Sequence, residues 1–406
     1  MPEAVLVSAL RTPVGTAVKG TLRDTTAFDL AHHIVAAAAA TDGLDPDAVD
    51  DVILGEGLYG GGVVARHAAL TVGLTSVPGL AHNRHCAAGL AAVQSAAASI
   101  RAGMDELVIA GGVNSASTSP KQRFRVDGDW VEPWSPPTHP DRPDAPNLDM
   151  SITVGWNTAV RAGLSRADMD AWALRSHQNA IRAIDEGRFD AELVPIDTPH
   201  GLFSVDEHPR RTTSLEKLAS LKPLHPEIDG FSITAGNAGG ANDGAAALVV
   251  ASDRLGLPAL AVVRSWASVG ADPAETGLTP VKVIPKALAR AGLSTSDVDL
   301  FEINEAFAAV PVAAVKLLGL DPDRVNVNGS GCSLGHPVAA TGARMLVTLV
   351  HELRRRGGGI GVAAMCAGGG MGSATVIEVL APWSVSCRLG PLVESVDDVK
   401  GAAWRA

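Results

Sequence analysis

The side chains best suited to nucleophilic and acid–base chemistry are two cysteines, a histidine and an asparagine. Cys86 lies between an extended segment and a predicted helix from Gly89 to Ile100. At a helix start, unpaired backbone N–H groups and the helix dipole favour a thiolate, so Cys86 is a candidate nucleophile. The alternative is a buried, chemically inert cysteine.

His336 lies in the sequence Leu334-Gly335-His336-Pro337. We predict a helix start here, with Pro337 in the first helical turn, where proline is well tolerated. A single histidine in such a place is more often structural. The repeat described below, however, puts His336 in the duplicate of the Cys86 loop, from where it can act as the base for Cys86.

Cys366 and Asn304 each follow a predicted strand. Cys366 precedes the glycine-rich run from Ala367 to Gly372, which permits close backbone approach and presents N–H donors to an oxyanion. The alternative is an ordinary tight turn. Asn304 follows the strand from Phe301 to Ile303, at a carboxyl end where the sites of α/β proteins gather. Its alternative is a helix cap.

The elements that carry these residues occur twice. Gly43 and Gly292 each end a predicted helix, Val49 and Val298 each precede a predicted strand, and both pairs are 249 residues apart. Each copy continues with a loop, a helix and an apolar strand that ends in Gly-Gly. This pattern indicates a duplicated unit of alternating strands and helices with mainly parallel sheets.

The region between the copies has a different composition. Its segment from Trp130 to Pro146 is rich in proline and is predicted to be a loop and not a sheet, and one helix is predicted from about Arg166 to Glu186. An insertion of this length in a compact enzyme is usually a lid or binding loop. The predicted parts are a first half (1–115, completed by about 243–263), a loop domain (116–242) and a second half (264–406).

Composition limits the class of protein. With 406 residues, 46% hydrophobic and 19% charged, the chain can bury a large core. A net charge of −11 argues against nucleic-acid or anionic-membrane partners. The four cysteines are too widely spaced for a disulfide framework or a local zinc site. The chain start lacks signal-peptide features, and the longest apolar run is too short to cross a bilayer, so we predict a cytoplasmic protein without membrane insertion.

Four motifs together resemble the thiolase family in their order and context: Asn83 to Gly89, Asn304 to Phe307, Gly335 to Pro337, and Cys366 to Gly372. The resemblance spans most of the chain, and the combination is highly specific. Further segments similar to thiolases are Ser176 to Gln178, Gly187 to Phe189, Leu215 to Pro223, Thr234 to Ala238 and Asn242 to Ala246.

The resemblance implies both a fold and an activity. The implied α/β fold has two similar βαβαβαββ halves in five α-β-α-β-α layers, with an inserted loop domain. The implied activity is that of an acetyl-CoA C-acyltransferase, which makes or breaks the carbon–carbon bond of a 3-oxoacyl-coenzyme A. Coenzyme A is then a substrate, no metal or other cofactor is needed, and the protein is a homodimer or homotetramer.

The resemblance also implies residue roles. Cys86 takes the acyl group, His336 activates it, and Cys366 moves the proton at the α-carbon. Asn304, through a water, forms one oxyanion hole with His336, and the N–H groups of Cys86 and Gly368 form the other. Substrate or coenzyme A contacts are implied for Arg210, Lys217, Leu224, His225, Ala235, Gly239, Met150, Ala306 and Phe307.

Several positions depart from the family pattern. Ala88 replaces a serine near the nucleophile, Gly239 a serine near the pantetheine, and His225 a phenylalanine near the adenine, while Asp149 lies where some members have a histidine. The acyl group is therefore not assigned from the sequence.

Three alternatives to degradative cleavage remain: biosynthetic condensation, a ketoacyl synthase and a non-catalytic binding protein. Degradative cleavage is favoured over biosynthetic condensation because the altered loop and the tail beyond Leu380 differ from compact biosynthetic members. A ketoacyl synthase is disfavoured by Cys366 in its glycine-rich loop. A non-catalytic acyl-CoA-binding protein is disfavoured because all four candidate residues are retained.

Overall fold

The computed structural model describes residues 1–57, 63–134 and 137–381. Within these residues a ten-stranded mixed sheet forms the centre, and two small hairpins lie outside it. The strands are β1 Ala4–Arg11, β2 Gly15–Thr16, β3 Asp51–Gly55, β4 Gly79–His82, β5 Leu107–Ser115, β6 Gln122–Val126, β7 Asp129–Trp134, β8 Ile196–Thr198, β9 Gly201–Phe203, β10 Asn242–Ser252, β11 Ala261–Gly270, β12 Leu300–Ile303, β13 Gly359–Ala367 and β14 Met371–Val379. The α-helices are α1 Ala27–Ala39, α2 Val64–Thr71, α3 Ala88–Ala102, α4 Asn157–Ala162, α5 Arg166–Asp185, α6 Leu215–Ala219, α7 Thr279–Arg290, α8 Ala309–Leu318 and α9 Thr341–Arg355.

The two halves follow the same element order, as the repeat predicts. The first half runs β1, α1, β3, α2, β4, α3, β5 and β10, and the second runs β11, α7, β12, α8, α9, β13 and β14. In the second half, a single parallel bridge between Phe301 and Val325 takes the place of β4. β10 pairs with β1 and β5, whereas β11 pairs with β14. The residue boundaries of the three parts stay a prediction.

The halves stack in the five layers that the fold prediction requires. Helices α3 and α9 pack against each other and against strands of both halves, while α1 and α2 cover one outer face and α7 and α8 the other. The half-sheets meet at one edge through the antiparallel pairs Val5–Val262 and Leu6–Ala261. The predicted fold class is confirmed.

Small residues let the central helices approach closely. A Cβ added at Gly342 of α9 would lie 2.6 Å from the backbone nitrogen of Leu90 in α3, and one added at Gly89 would lie 2.6 Å from the carbonyl of Ala339. Neither position has room for a side chain. This contact sets the start of α3 against the turn that precedes α9, and Cys86 and His336 lie just ahead of these two helix starts.

The expectation of mainly parallel sheets is wrong. Only β3–β4, β3–β5 and β12–β13 are parallel in the central sheet, and its other pairs are antiparallel. The reason is that the last two strands of each half are not joined by a helix that packs against the central sheet. β13 turns directly into β14 through Gly368–Gly370, and the loop domain separates β5 from β10.

The loop domain also contains a hairpin where the sequence predicted only loop. β6 and β7 pair antiparallel around Asp127 and Gly128, whose φ angles are +50° and +95°. Asp-Gly is a favoured pair for such two-residue turns, and this local signal outweighs the nearby prolines. The predicted helix is confirmed as α5, with Ser165 and Asp168 forming a capping box.

In the part of the chain that the structure describes, no helix combines the length and apolar character needed to cross a membrane. Cys387 and the rest of the tail from residue 382 lie outside the described residues.

Candidate active site

Cys86 sits on a strained turn before α3. The preceding residue, His85, has a left-handed φ of +45°, which is unusual for a residue other than glycine and often marks a functional turn. Its N–H donates to Asn83 Oδ1 at 2.9 Å, which holds the turn. No side chain caps the helix, and Cys86 is half-buried two residues ahead of it.

Burial raises the pKa of the Cys86 thiol, although hydrogen bonds from the N–H groups of Gly368 and of Cys86 itself act in the opposite direction. The expectation that the helix start would produce a thiolate is therefore wrong in sign, because the cost of desolvating the charge exceeds the gain from these donors. Cys86 rests as a thiol and needs a base to become a nucleophile.

His336 is anchored at both its backbone and its ring. Its N–H donates to Asn242 Oδ1 at 2.9 Å, and its Nδ1 lies 2.7 Å from Thr341 Oγ1. The Thr341 hydroxyl donates its one proton to the Pro337 carbonyl at 2.9 Å, so it accepts a hydrogen bond from Nδ1–H. The lone pair is then on Nε2, which is buried and has no hydrogen-bond partner among the described residues.

His336 is neutral near neutral pH. Burial lowers its pKa to about 4, and the positive charge of Arg344 acts in the same direction. The helix α9 begins at Thr341, so the prediction that Pro337 occupies its first turn is wrong. Instead, the Pro337 carbonyl accepts the N–H groups of Ala340 and Thr341, which closes a separate turn before the helix.

Cys366 is buried at the end of β13, close enough to Cys86 that a negative charge on the Cys86 sulfur would raise the pKa of Cys366 further. Burial is the larger cause of the raised pKa. The structure therefore brings the two cysteines to one site, although they are 280 residues apart in the chain.

The glycine run after Cys366 is a turn without room for side chains. A Cβ at Gly370 would lie 2.2 Å from the Ala271 carbonyl, and one at Gly369 would lie 2.9 Å from that of Thr138. Both glycines have positive φ angles, of 76° and 83°. The tight-turn interpretation is thus correct, and the same turn brings the Gly368 N–H to the Cys86 sulfur.

Asn304 is completely buried beyond the end of β12, and its N–H donates to the Ala364 carbonyl at 3.0 Å. Its side-chain Oδ1 and Nδ2 have no partner among the described residues. Buried polar atoms are rarely left unpaired except at functional sites. It is not a helix cap, because α8 begins only at Ala309.

Glu305 holds the Asn304 segment in place. Its carboxylate accepts hydrogen bonds from Trp172 Nε1 at 2.8 Å, Ser176 Oγ at 2.6 Å, Asn326 Nδ2 at 2.8 Å and the Cys332 N–H at 3.0 Å. These donors come from α5 and from the segment that precedes His336. A fully bonded buried carboxylate of this kind rigidifies its surroundings.

A cavity of about 540 Å³ lies in the loop domain. Four of the predicted contact residues line it, namely Arg210, Lys217, Ala235 and Gly239. The remaining lining residues are His177, His208, Thr212, Thr213, Leu218, Ser220, Leu221, Gly236, Ala238, Gly240 and Cys332.

His177 is a lining residue that the sequence reasoning did not single out. Its Nδ1 accepts the Arg210 N–H at 3.1 Å, and burial, with smaller effects of His208 and Arg210, lowers its pKa to about 4. The resemblance of the segment from Ser176 to Gln178 to thiolases was the sequence signal from which His177 could have been predicted as a site residue.

The other five predicted contact residues do not line this cavity. Met150 and Phe307 pack against the apolar core of the second half. The Ala306 carbonyl accepts the Gly239 N–H at 2.9 Å, which places it at the edge of the cavity wall. Leu224 is partly exposed, and His225 pairs with two carboxylates, at 2.8 Å from Asp149 and 2.7 Å from Glu227.

Comparison with known protein families accounts for nearly the whole described chain. The thiolase N-terminal domain matches residues 4–254, and the thiolase C-terminal domain matches residues 257–379. The chain belongs to the thiolase family. This thiolase is 41% identical to a Pseudomonas aeruginosa protein named acetyl-CoA acetyltransferase, over 93% of this chain and 99% of the relative.

Two further comparisons agree. A Bacillus subtilis protein named 3-ketoacyl-CoA thiolase is 38% identical over 93% of this chain and 100% of the relative. The crystal structure of human mitochondrial 3-ketoacyl-CoA thiolase in complex with CoA has a TM-score of 0.84 and 36% identity, over 93% of this chain and 98% of the other. This thiolase is an acyltransferase, and the predicted family and enzyme class are confirmed.

Proposed function

We propose that this thiolase cleaves a 3-oxoacyl-coenzyme A with free coenzyme A through an acyl-Cys86 intermediate. The observation that carries the proposal is that the buried His336 Nε2 has no hydrogen-bond partner among the described residues. Burial also raises the pKa of the Cys86 thiol and lowers the pKa of His336 to about 4, which favours the neutral form of both. A thiol and a neutral imidazole form a nucleophile and its general base.

In the first half-reaction, His336 Nε2 takes the Cys86 proton while the sulfur attacks the 3-oxo carbon. The bond between the α-carbon and this carbon then breaks, which leaves the acyl group on Cys86 and an acetyl-CoA enolate. Cys366 donates its thiol proton to the α-carbon of the enolate. The raised pKa of Cys366 suits this role, because it keeps the proton on sulfur until a strongly basic carbon accepts it.

In the second half-reaction, the Cys366 thiolate takes the proton of the incoming coenzyme A thiol. The new thiolate attacks the acyl carbon, Cys86 departs, and the imidazolium of His336 returns a proton to it. All three groups are then restored. The reverse sequence is a Claisen condensation that uses the same proton positions.

Two sets of donors are available for the oxyanions. The N–H groups of Cys86 and Gly368 already approach the Cys86 sulfur, which favours them for the oxygen of the acyl group. We assign His336 and Asn304, the latter through a water, to the thioester oxygen of the enolate. Each preorganised donor of this kind typically contributes about 3–4 kcal/mol to barrier lowering.

Coenzyme A is the proposed occupant of the 540 Å³ cavity. Arg210 and Lys217 supply positive charge to its lining, which suits the phosphates of the coenzyme. The human relative was solved in complex with CoA. The degradative direction, the need for no cofactor, the cytoplasmic location and the homodimeric or homotetrameric state stay predictions from the sequence.

Acyl transfer is tested by intact-mass analysis after incubation with acetyl-CoA. We expect one acetyl adduct per chain, on the peptide that contains Cys86, and none in Cys86→Ser. Cys366→Ala should retain the adduct but lose cleavage and formation of the carbon–carbon bond. An adduct that persists in Cys86→Ser would refute the nucleophile assignment.

The physiological direction and the acyl group need a separate measurement. A chain-length panel of 3-oxoacyl-CoA substrates with free coenzyme A should show kcat/KM values for cleavage above those for condensation of two acetyl-CoA molecules. The reverse order would favour the biosynthetic alternative.

A further inference from the structure

A second cavity lies between α5 and the end of α9. It has a volume of about 310 Å³ and shares no lining residue with the larger cavity. We call it the arginine pocket, because five of its eight lining residues are arginines. The lining is Arg175, Asn179, Arg182, Arg188, Asp323, Val327, Arg355 and Arg356.

The lining of the pocket itself holds five arginines and one acidic residue, Asp323, and the other carboxylates lie outside the lining. Glu352 is buried beneath it and bonds to Arg355 and Arg356, each at 2.7 Å. Burial favours a raised pKa of Glu352, but the hydrogen bonds from these arginines outweigh it and lower the pKa to about 2. Glu186 pairs with Arg188 at 2.5 Å. Glu305 and Asp321 also lie near enough to act on Arg175, so the carboxylates around the pocket offset much of its charge, although the lining is strongly basic in a chain whose net charge is −11.

Two of the guanidinium groups form no salt bridge with a carboxylate of the described residues. Arg175 donates to the carbonyls of Val325 at 3.0 Å and Pro322 at 2.5 Å. Arg182 donates to the side-chain oxygen of Asn179 at 2.8 Å. Burial lowers the pKa of Arg175, since its neighbours compensate only part of its desolvation.

The arginines are held in position rather than spread into solvent. The Arg175 guanidinium lies 4.9 Å from the centre of the Trp172 ring, and its two carbonyl bonds fix its plane. Arg188 is fixed by Asn328 at 3.0 Å as well as by Glu186. Preorganised arginine forks lose little entropy on binding and match the oxygens of phosphate groups.

A purely structural role explains only part of the cluster. Arg355 and Arg356 lie at the carboxyl end of α9, where positive charge offsets the helix dipole. That explanation does not apply to Arg175 and Arg182, which are two turns apart on one face of α5. The helix-dipole explanation also does not account for the arginines of α5 and α9 lining the same cavity.

We propose that the arginine pocket binds a compact polyanion carrying two adjacent phosphate groups. Its volume corresponds to that of roughly ten water molecules, which suits an ion the size of inorganic diphosphate and exceeds the needs of a single phosphate. The diphosphate group is free or belongs to a coenzyme A molecule outside the larger cavity. This inference does not depend on the acyl-transfer mechanism proposed above.

The test is isothermal titration of the full chain with inorganic diphosphate at low salt. We expect saturable binding of one ion per chain that weakens as ionic strength rises. Arg182→Gln and Arg356→Gln should each weaken binding about tenfold or more, as expected for loss of a charge-assisted hydrogen bond. Arg254→Gln, an exposed arginine after β10, is the matched control and should bind as the wild type does.

Repeating the titration with the larger cavity saturated by coenzyme A shows whether the diphosphate group that binds the arginine pocket is a free ion or part of a coenzyme A molecule. Diphosphate binding that persists identifies a free ion as the ligand. If binding is lost, coenzyme A must itself bind at two per chain in the wild type and one per chain in Arg182→Gln. Loss of diphosphate binding with only one coenzyme A per chain would overturn the proposal, as would absence of saturable binding or unchanged affinity in both pocket variants.

Circular dichroism and thiolase activity control for folding of the variants. Both should match the wild type, because the two substituted residues are exposed and neither belongs to the proposed catalytic machinery. A variant with altered structure would be replaced by the corresponding lysine substitution, which retains the charge and should show intermediate affinity. Full wild-type affinity in the lysine and glutamine variants alike would also contradict the proposal.

Discussion

The turn before α3 and the turn before α9 occupy equivalent places in the two halves, yet they are built differently. In both turns the residue directly before the reactive side chain has a positive φ, +45° at His85 and +100° at Gly335, and neither helix has a side-chain cap, but Cys86 is only half-buried. The His336 turn is buried and anchored by Thr341 and Asn242. One duplicated unit thus presents the partly accessible candidate nucleophile, and the other presents the candidate base in a defined orientation.

The same physical effect acts on both turns with opposite results. Burial disfavours the charged form of each group, so it raises the pKa of the Cys86 thiol and lowers that of the His336 imidazole. The resting pair is therefore neutral. In the proposed mechanism the proton moves from the Cys86 sulfur to His336 Nε2 only when substrate is bound. The following experiments test this difference between the two turns.

The largest expected effect is that of removing the base. His336→Asn should lower kcat for thiolysis by about 10²–10⁴-fold, the usual contribution of general acid–base catalysis. The rate of acetyl-CoA release at saturating substrate gives this ratio. A kcat within a few-fold of the wild type would show that Cys86 does not need His336.

The next effect distinguishes a neutral pair from a thiolate–imidazolium pair. Because burial raises the pKa of Cys86, its alkylation by iodoacetamide should accelerate about tenfold per pH unit from about pH 6 to pH 9. The rate is followed by mass analysis of the Cys86 peptide. A plateau that begins below about pH 7 would show that the resting protein already holds the thiolate.

A smaller effect is expected from loosening the His336 ring. Thr341→Val removes the acceptor for Nδ1–H, so the tautomer with the Nε2 lone pair loses its preference, and kcat should fall about tenfold while KM changes little. Thr341→Ser keeps the hydroxyl and should restore most of the activity. Equal activity of the valine and serine variants would exclude this positioning role.

The smallest effect concerns stability. Burial lowers the pKa of His336 from its ordinary value of 6.5 to about 4 in the folded protein, so the unfolded state takes up its proton first as the pH falls. The folded state is therefore favoured less as the pH drops from 6.5 towards 4, and this contribution is fully present only above 6.5. Urea unfolding at about pH 7 and about pH 5 should show a larger loss for the wild type than for His336→Asn. An equal loss would place the folded pKa near the ordinary value.

Much of the framework was predictable from local sequence. The constant spacing of Gly43 and Val49 from their counterparts predicted the duplication, and the capping pattern at Ser165 fits the predicted helix α5. The hairpin at Asp127 was missed although its signal is local, because the prolines nearby were given more weight. The antiparallel pairing of β5 was missed because its partner, β10, lies beyond the whole loop domain.

The arginine pocket illustrates the limit of reading residues singly. Arg175 and Arg182 resemble solvent-facing helix positions, and Arg355 and Arg356 resemble ordinary residues at a helix end. Only the packing of α5 beside the end of α9 brings them around one cavity.

By itself, the sequence determined which reactive groups this thiolase has and that they lie on a duplicated scaffold, because residue types and repeat spacing are local properties. Tertiary structure decided the protonation states of these groups and which residues surround them. The pKa values of Cys86 and His336 both depend on burial, and that of Cys86 depends also on the N–H group of Gly368, hundreds of residues away; this burial and this contact exist only in the folded chain.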